Sequence, residues 1–235
     1  MEQRGKNLVR NIFGCLLLCL VVTFCIPAIH SEAAAKKPTC PKKQTVYFAD
    51  YGGGWGEPTG YSRNIFIKNL ASNAKITNVK CSNKNVFLIN RGKFISVGEG
   101  KIKSGSKAKV TFKVKQNGKT YSLYCNLTFK KNTCDFSRLK IGGKNYATKT
   151  TGKLNVQLKL PYKKSAISVK MKSGRKLTSI AIYRGQKVIK VKNGSKVALK
   201  KGDTIMIGYK YTKKPSSMPK NLKWTETGAV RIIVK

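Results

Sequence analysis

The groups that could do chemistry in this 235-residue chain are few: eight acids, one histidine and seven cysteines, against 49 lysines and arginines. The histidine, His30, and three of the cysteines lie in an N-terminal stretch that reads as a removable leader. Beyond it the acids are Asp50, Glu57, Glu99, Asp135, Asp203 and Glu226. Without histidine the commonest general acid–base is missing, and Ser–His–Asp and Cys–His mechanisms are excluded in their usual forms. A glycosidase needs only two carboxylates. None of the six lies in a recognisable motif, however, and Asp203 follows Gly202 in a turn, where a carboxylate has a structural role. No D-x-D-x-D-G loop occurs. Cys40, Cys81, Cys125 and Cys134 show no C-x-x-C spacing and have no histidine to complete a metal set. The residues therefore predict a non-enzymatic protein without metal or cofactor. Four cysteines in an exported chain suit two disulfides, with three pairings open. Free, buried thiols are the alternative.

One stretch invites a binding role. "DYGGGWGEPTGYSR", Asp50 to Arg63, carries glycines at 52, 53, 54, 56 and 60. That spacing fits neither G-x-G-x-x-G nor G-x-x-x-x-G-K. The strand-like "NIFIKNL" follows it, so there is no helix N-terminus to hold a phosphate. What remains is a long connection carrying aromatics. Tyr51, Trp55 and Tyr61, with Trp224 in a later segment, are candidate surfaces for stacking on sugars. Loop aromatics can equally plug the end of a core.

The first 35 residues read as an export signal. Arg4, Lys6 and Arg10 precede an uncharged apolar run from Ile12 to Ile29, and Ala33 and Ala35 occupy the small-residue positions of a cleavage site. Cleavage after Ala35 is expected. The alternative is an uncleaved N-terminal membrane anchor, since 18 apolar residues approach the minimum for a span. Cys25 follows bulky Phe24, which disfavours a lipidation signal. After cleavage no transmembrane span is expected, and the protein should be extracellular or at the cell surface. The leader removes three cations and two acids, so the net charge of +41 falls only to +40.

The elements that must position these residues are strands. In "AKVTFKVKQ", Ala108, Val110, Phe112 and Val114 alternate with Lys109, Thr111, Lys113 and Lys115. Asn117-Gly118, suited to a type I′ turn, leads into "TYSLYCNLTFK" with the same period. Ser173-Gly174, Arg184-Gly185, Asn193-Gly194 and Gly202-Asp203 punctuate the second half likewise. No long segment has helical spacing. The pattern predicts an all-β protein of two antiparallel β-sandwich domains, residues 36–133 and 134–235, after a signal peptide over 1–35. "YTKKPSSMPKNLKWTETG", Tyr211 to Gly228, reads as a long exposed loop.

The first half also resembles a family. "ITNVKCSNKNVFLIN" and "GKIKSGSKAKVTFKVKQNGKTYSLYCNLTFKK" are similar to the bacterial Ig-like domains of the Big-2 type, found on secreted and surface proteins of Gram-positive bacteria. In that family a serine–serine–asparagine motif precedes a short valine-rich strand, and a glycine then leads into an alternating strand, a tight hairpin and a last strand. Here Cys81-Ser82-Asn83 stands before Val86, and Gly105 precedes the alternating run. Cys81 replaces the first serine, and the family's nearby tryptophan is absent. The resemblance covers roughly residues 76–131 and implies an immunoglobulin-like first domain. It also implies nested disulfides, Cys81 with Cys125 inside the sandwich and Cys40 with Cys134 across its ends. Residues 135–235 match no family by their motifs.

Charge is the largest compositional anomaly. Forty of the cations beyond the leader are lysines, mostly at outward positions of the strands. Such a surface can simply keep an exported protein soluble. It can also hold the protein on anionic cell-wall or host polysaccharides. Lysine acts there as a point charge, through a field and not a shaped pocket. No specific nucleic-acid partner is expected. The composition leaves two readings: a non-enzymatic surface or extracellular binding or structural protein, and a carbohydrate-binding accessory protein that uses loop aromatics.

Overall fold

The computed structural model describes residues 36–235, so the leader, with Ala33 and Ala35, lies outside the described residues. Strands follow the period-two pattern closely. β7 (Lys107–Gln116) buries Ala108, Val110, Phe112 and Val114 and exposes the lysines between them. It pairs through the Asn117-Gly118 turn with β8 (Lys119–Lys131), from Gln116 opposite Lys119 to Lys107 opposite Thr128. Asn117 and Gly118 both take positive φ, 49° and 70°, as a type I′ turn requires.

β1 (Lys43–Gly52), β2 (Trp55–Pro58), β8, β7 and β4 (Lys75–Cys81) form one sheet in the order β2-β1-β8-β7-β4. β3 (Asn64–Phe66), β6 (Phe94–Val97) and β5 (Leu88–Asn90) form the facing sheet in the order β3-β6-β5. With β1 and its hairpin arm β2 as the first strand, the second, fifth and fourth strands make one layer and the third, sixth and seventh the other. That is the immunoglobulin strand order. Val46, Phe48, Val110, Phe112, Leu127 and Phe129 from one layer meet Ile65, Ile67, Ile95 and Val97 from the other.

The second half repeats the scheme. β10 (Lys144–Asn145), β9 (Phe136–Ile141), β12 (Lys164–Met171) and β15 (Lys196–Ala198) make one layer. β11 (Asn155–Leu158), β17 (Thr227–Val234), β16 (Thr204–Tyr211), β13 (Arg175–Arg184) and β14 (Lys187–Lys190) make the other. Leu139, Ile141, Ile167, Ile182, Ile205, Ile207 and Ile232 fill its core. Arg184 donates from Nε and one guanidinium NH2 to both oxygens of buried Asp203, each at 2.8 Å, and holds that carboxyl below its usual range. Asp203 thus has the structural role its turn implied.

Not every pairing is antiparallel, as the alternation had suggested. β1 runs parallel to β8, and β11 runs parallel to β17. In each half an early strand crosses to lie beside the last one. One-sided burial specifies which face points inward, but not strand direction.

The two cores part between Phe129 and Cys134, and a third, aromatic cluster of Tyr61, Phe66, Phe94 and Met218 bridges them. Met218 belongs to the Tyr211–Gly228 segment. That segment is therefore not simply an exposed loop: its middle is buried against the first sandwich. Elsewhere along the seam, Asp50 N–H donates to Gly152 O at 2.8 Å, and Leu154 N–H donates to Asp50 O at 3.1 Å. Residues 37–235 form one compact body. Gly60 sits at the seam with φ 61°, and a Cβ there would stand 2.9 Å from the Tyr211 ring.

The four cysteines are free thiols, and the register does not allow the nested pairing. Cys81 lies opposite Val110, and Val110 lies opposite Cys125. Two strand spacings, about 9.6 Å, separate Cys81 from Cys125, beyond the reach of a disulfide. Cys134 belongs to the second core, where its thiol donates to Ala147 O at 3.0 Å, whereas Cys40 packs against the first. The thiol of Cys40 instead donates to Tyr124 O at 3.3 Å, beside Cys125. Burial, and then the nearness of Cys40, push the Cys125 thiol up to about 12.

Two outcomes are expected. Gly60→Ala should lower stability by about 1–3 kcal/mol through backbone strain and the Tyr211 clash together. Gly105→Ala, with φ 87° and no atom within 4 Å, carries only the strain and should cost less in urea titration. Alkylation of the folded protein under mildly alkaline conditions should modify half-buried Cys81 well before Cys125, whose buried thiol stays protonated there. A disulfide-linked Cys81–Cys125 peptide would contradict the register.

Candidate functional site

The glycine-rich stretch is a β-hairpin and not an open connection. Gly52, Gly53 and Gly54 take φ of 117°, 61° and 82°, which turns β1 back into β2. Gly56 lets the returning strand lie on Phe48, since a Cβ there would be 2.6 Å from that ring. Gly56 N–H then donates to Gly100 O at 2.8 Å, and Gly100 N–H returns a bond at 3.3 Å. This bridge carries the hairpin tip over the segment that precedes β5.

Trp55 consequently meets Phe87. Their ring centroids are 6.3 Å apart and the planes only 11° from parallel. Both stay in solvent, Trp55 at 38% and Phe87 at 53% exposure. Lys101 Nζ stands 5.9 Å from the Trp55 ring. Tyr51, 46% exposed, lies on the same hairpin. An aromatic platform edged by an ammonium group can stack on the apolar face of a sugar ring and attract an anionic substituent. Phe87 and Lys101 escaped the sequence reading because they are 32 and 46 residues from Trp55. The one available signal is phase: Phe87 follows buried Val86 and so must face outward.

Tyr61 and Trp224 have a different place. Tyr61 is 6% exposed and donates its hydroxyl to Trp224 O at 3.0 Å, while Glu226 N–H donates to that hydroxyl at 3.3 Å. Trp224 packs edge-on to Phe94 at 5.0 Å and donates Nε1–H to Glu226 Oε2 at 3.2 Å. These two aromatics tie the sandwiches together. The four candidates thus divide: Tyr51 and Trp55 face solvent from the hairpin, Tyr61 is buried in the junction, and Trp224, 36% exposed, is bonded into the junction with part of its ring still in solvent.

A crevice of about 190 Å³ opens beside the junction, lined by Tyr51, Glu57, Arg63, Asn155, Tyr211 and Arg231 among others. Burial raises the Glu57 carboxyl above its ordinary range, with Arg63 opposing and Glu99 adding to the rise. Deeper in the seam Tyr209 donates to Asp135 Oδ2 at 2.9 Å. Arg175 Nε stands 2.6 Å from Asp135 Oδ1, an ion contact without hydrogen-bond alignment. Among the described residues no group of three His, Cys, Asp or Glu side chains could hold a metal. No described helix is long and apolar enough to cross a membrane.

No protein-family model matches the chain, and no curated protein matches it. Among solved structures it is similar to a chimeric titin Z1Z2 functionalized with a decorin peptide, at 12% identity over 86% of this chain and 98% of that one, with TM-score 0.27. Human protocadherin-24 EC1-2 gives 12% identity over 84% and 98%, with TM-score 0.27. A SusE-like surface-located polysaccharide-binding protein from Bacteroides thetaiotaomicron gives 12% identity over 82% and 88%, with TM-score 0.24. At these scores the likenesses carry no argument about ligand or partner.

The division of the aromatics has a direct test. Trp55→Ala should change stability by less than about 1 kcal/mol, as substitutions away from buried networks do. Tyr61→Phe should cost about 1 kcal/mol or more, because Trp224 O and Glu226 N–H lose a buried partner. Thermal unfolding of both variants reads the difference, and equal losses would place Trp55 in the scaffold.

Proposed function

We propose that this chain is an exported, non-enzymatic binding or structural protein that is held on anionic polymers of the cell surface or its surroundings by its lysine surface. Its first half would be a divergent Big-2 domain of a Gram-positive bacterium, with residues 1–35 as the cleaved signal. The observation that carries this reading is unopposed charge. All 40 lysines of the described residues are exposed. Four of the six acids already face a cation: Asp50 with Lys131, Asp135 with Arg175, Asp203 with Arg184, and Glu226 with Arg63. Asp135, Asp203 and Glu226 are also buried. Little negative potential is left to offset the lysines from outside.

A second reading rests on the Trp55–Phe87 platform. An exposed stacked pair beside Lys101 suits an acidic glycan, with ring stacking for the sugar and the ammonium for its charge. The two readings share a polyanionic ligand and differ in whether the aromatics contribute.

Salt separates attachment by field from other attachment. Exposed charges are screened beyond about 10 Å at 0.1 M and about 3 Å at 1 M. The protein should therefore leave a wall fraction in a high-salt wash and rebind on dilution. Retention through the wash would exclude the field reading, and recovery only with membranes would make residues 12–29 an anchor. Trp55→Ala should leave salt elution unchanged if charge alone holds the protein, and should shift it to lower salt if the platform contributes.

A further inference from the structure

The lysines are not spread evenly over equivalent faces. On the outer face of the β4-β7-β8-β1 sheet, successive rows read Lys75–Lys115–Thr120, Thr77–Lys113–Ser122, Lys80–Thr111–Tyr124, Lys109–Asn126–Lys43 and Lys107–Thr128–Thr45. β4, β7 and β8 contain no carboxylate. The one acid on β1, Asp50, is near its far end and is paired with Lys131. The corresponding face of the second sandwich reads Lys176–Lys210–Thr227, Ser179–Gly208–Ala229, Lys190–Ala181–Met206–Arg231 and Val188–Tyr183–Thr204–Ile233. Its four cations, Lys176, Lys190, Lys210 and Arg231, fall one to a strand, so no strand there carries lysine at successive outward positions as β7 does. The fold therefore does not require a lysine ladder on this face.

The array works against stability. Lys75 and Lys115 are directly opposite, and like charges in that relation repel. The only partner within the face is the Tyr124 ring, with Lys42 Nζ at 4.2 Å and Lys109 Nζ at 5.1 Å from its centroid. The face is also shaped. A shallow groove of about 350 Å³ runs over Asn78, Lys80, Lys109, Thr111, Ser122 and Tyr124, placing hydroxyl and amide donors between the ammonium groups.

Spacing narrows the partner. Alternate residues of β7 recur about every 6.8 Å, so Lys107, Lys109, Lys113 and Lys115 mark a ladder about 27 Å long. Thr111 interrupts it where Lys80 stands alongside. A chain of single bonds gains about 3.5 Å per three bonds, as the polypeptide does, so one charge every six bonds gives a repeat of about 7 Å. A linear polyol phosphodiester with three-carbon units has that repeat. The face has no arginine, and lysine meets phosphate as a point charge whereas arginine offers a planar fork.

We propose that the outer face of the β4-β7-β8-β1 sheet is a binding site for a linear polyol phosphodiester polymer lying along β7, with its phosphates in register with the lysine ladder. This rests on the polyanion reading and names its site and ligand class.

The probe is poly(glycerol phosphate) of defined length, titrated against the whole chain. Polygalacturonate and dextran sulfate of matched charge serve as comparators. Lys109→Gln/Lys113→Gln should weaken poly(glycerol phosphate) binding tenfold or more. It should also reduce the slope of log affinity against log salt by about 1.4 for two lost phosphate contacts. Lys187→Gln/Lys190→Gln removes the same charge from β14 and should change affinity less than threefold. Equal losses in the two variants would overturn the site while leaving attachment by net charge intact. Tighter binding of polygalacturonate or dextran sulfate would overturn the phosphodiester. Absence of binding to all three polymers at low salt would sink both the site and the reading beneath it.

Discussion

A carboxylate taken out of water must be met by donors or a counter-charge. Glu226, 7% exposed, is met from both halves of the molecule. Asn64 Nδ2–H from the first sandwich donates to its Oε2 at 3.1 Å, Trp224 Nε1–H donates to the same oxygen, and Arg63 approaches the other at 4.0 Å. Asn64 in turn accepts from Ser96 Oγ at 2.6 Å, which ties this network to β6. Around it close Tyr61, Phe66, Phe94 and Met218. Much else follows from this contact. The Tyr211–Gly228 segment must fold back onto the first sandwich, and Tyr61 and Trp224 are committed to the seam. The β1–β2 hairpin meets the second sandwich through Asp50, and only its tip, with Trp55, stays in solvent.

The same economy governs charge. Each core takes the apolar half of an alternating strand, so the lysines are driven outward whatever their purpose. Outward placement alone does not explain their distribution. Two sheets with the same strand order differ on their solvent faces: one has a ladder of lysines along a single strand, and the other has four cations spread one to a strand. Each face has one directly opposed lysine pair, Lys75 with Lys115 and Lys176 with Lys210, so what sets the first apart is the ladder along β7.

Much of the architecture was legible in the chain. The β7–β8 hairpin, its turn at Asn117-Gly118 and the inward set from Ala108 to Phe129 follow from a period of two and one turn dipeptide. The Gly-Asp turn at 202–203 and its structural carboxylate were legible for the same reason. The candidate site was readable only in part. Trp55 was visible, but its partner Phe87 was not, and neither was the strand Trp55–Pro58 inside a run that looked like loop. Its glycines are there for close approach to Phe48 and for the tight turn, which composition alone does not distinguish from flexibility. The cysteines show the same limit: four thiols permit three pairings on paper, and only the β4-β7-β8 register puts Val110 between two of them.

By itself, then, the amino-acid order determined the all-β character, the burying face of each strand, the hairpins closed by local turns, and the charge that any surface of this chain must carry. These depend on interactions between residues a few positions apart, which periodicity records. Tertiary structure decided the parallel crossings of β1 and β11 to the last strands, the fusion of two sandwiches through Glu226, the meeting of Trp55 with Phe87, and the gathering of lysines from β4, β7 and β1 onto one face. Each joins segments tens of residues apart, and which segments meet is settled by the closure of the cores, not by any pattern local to either one.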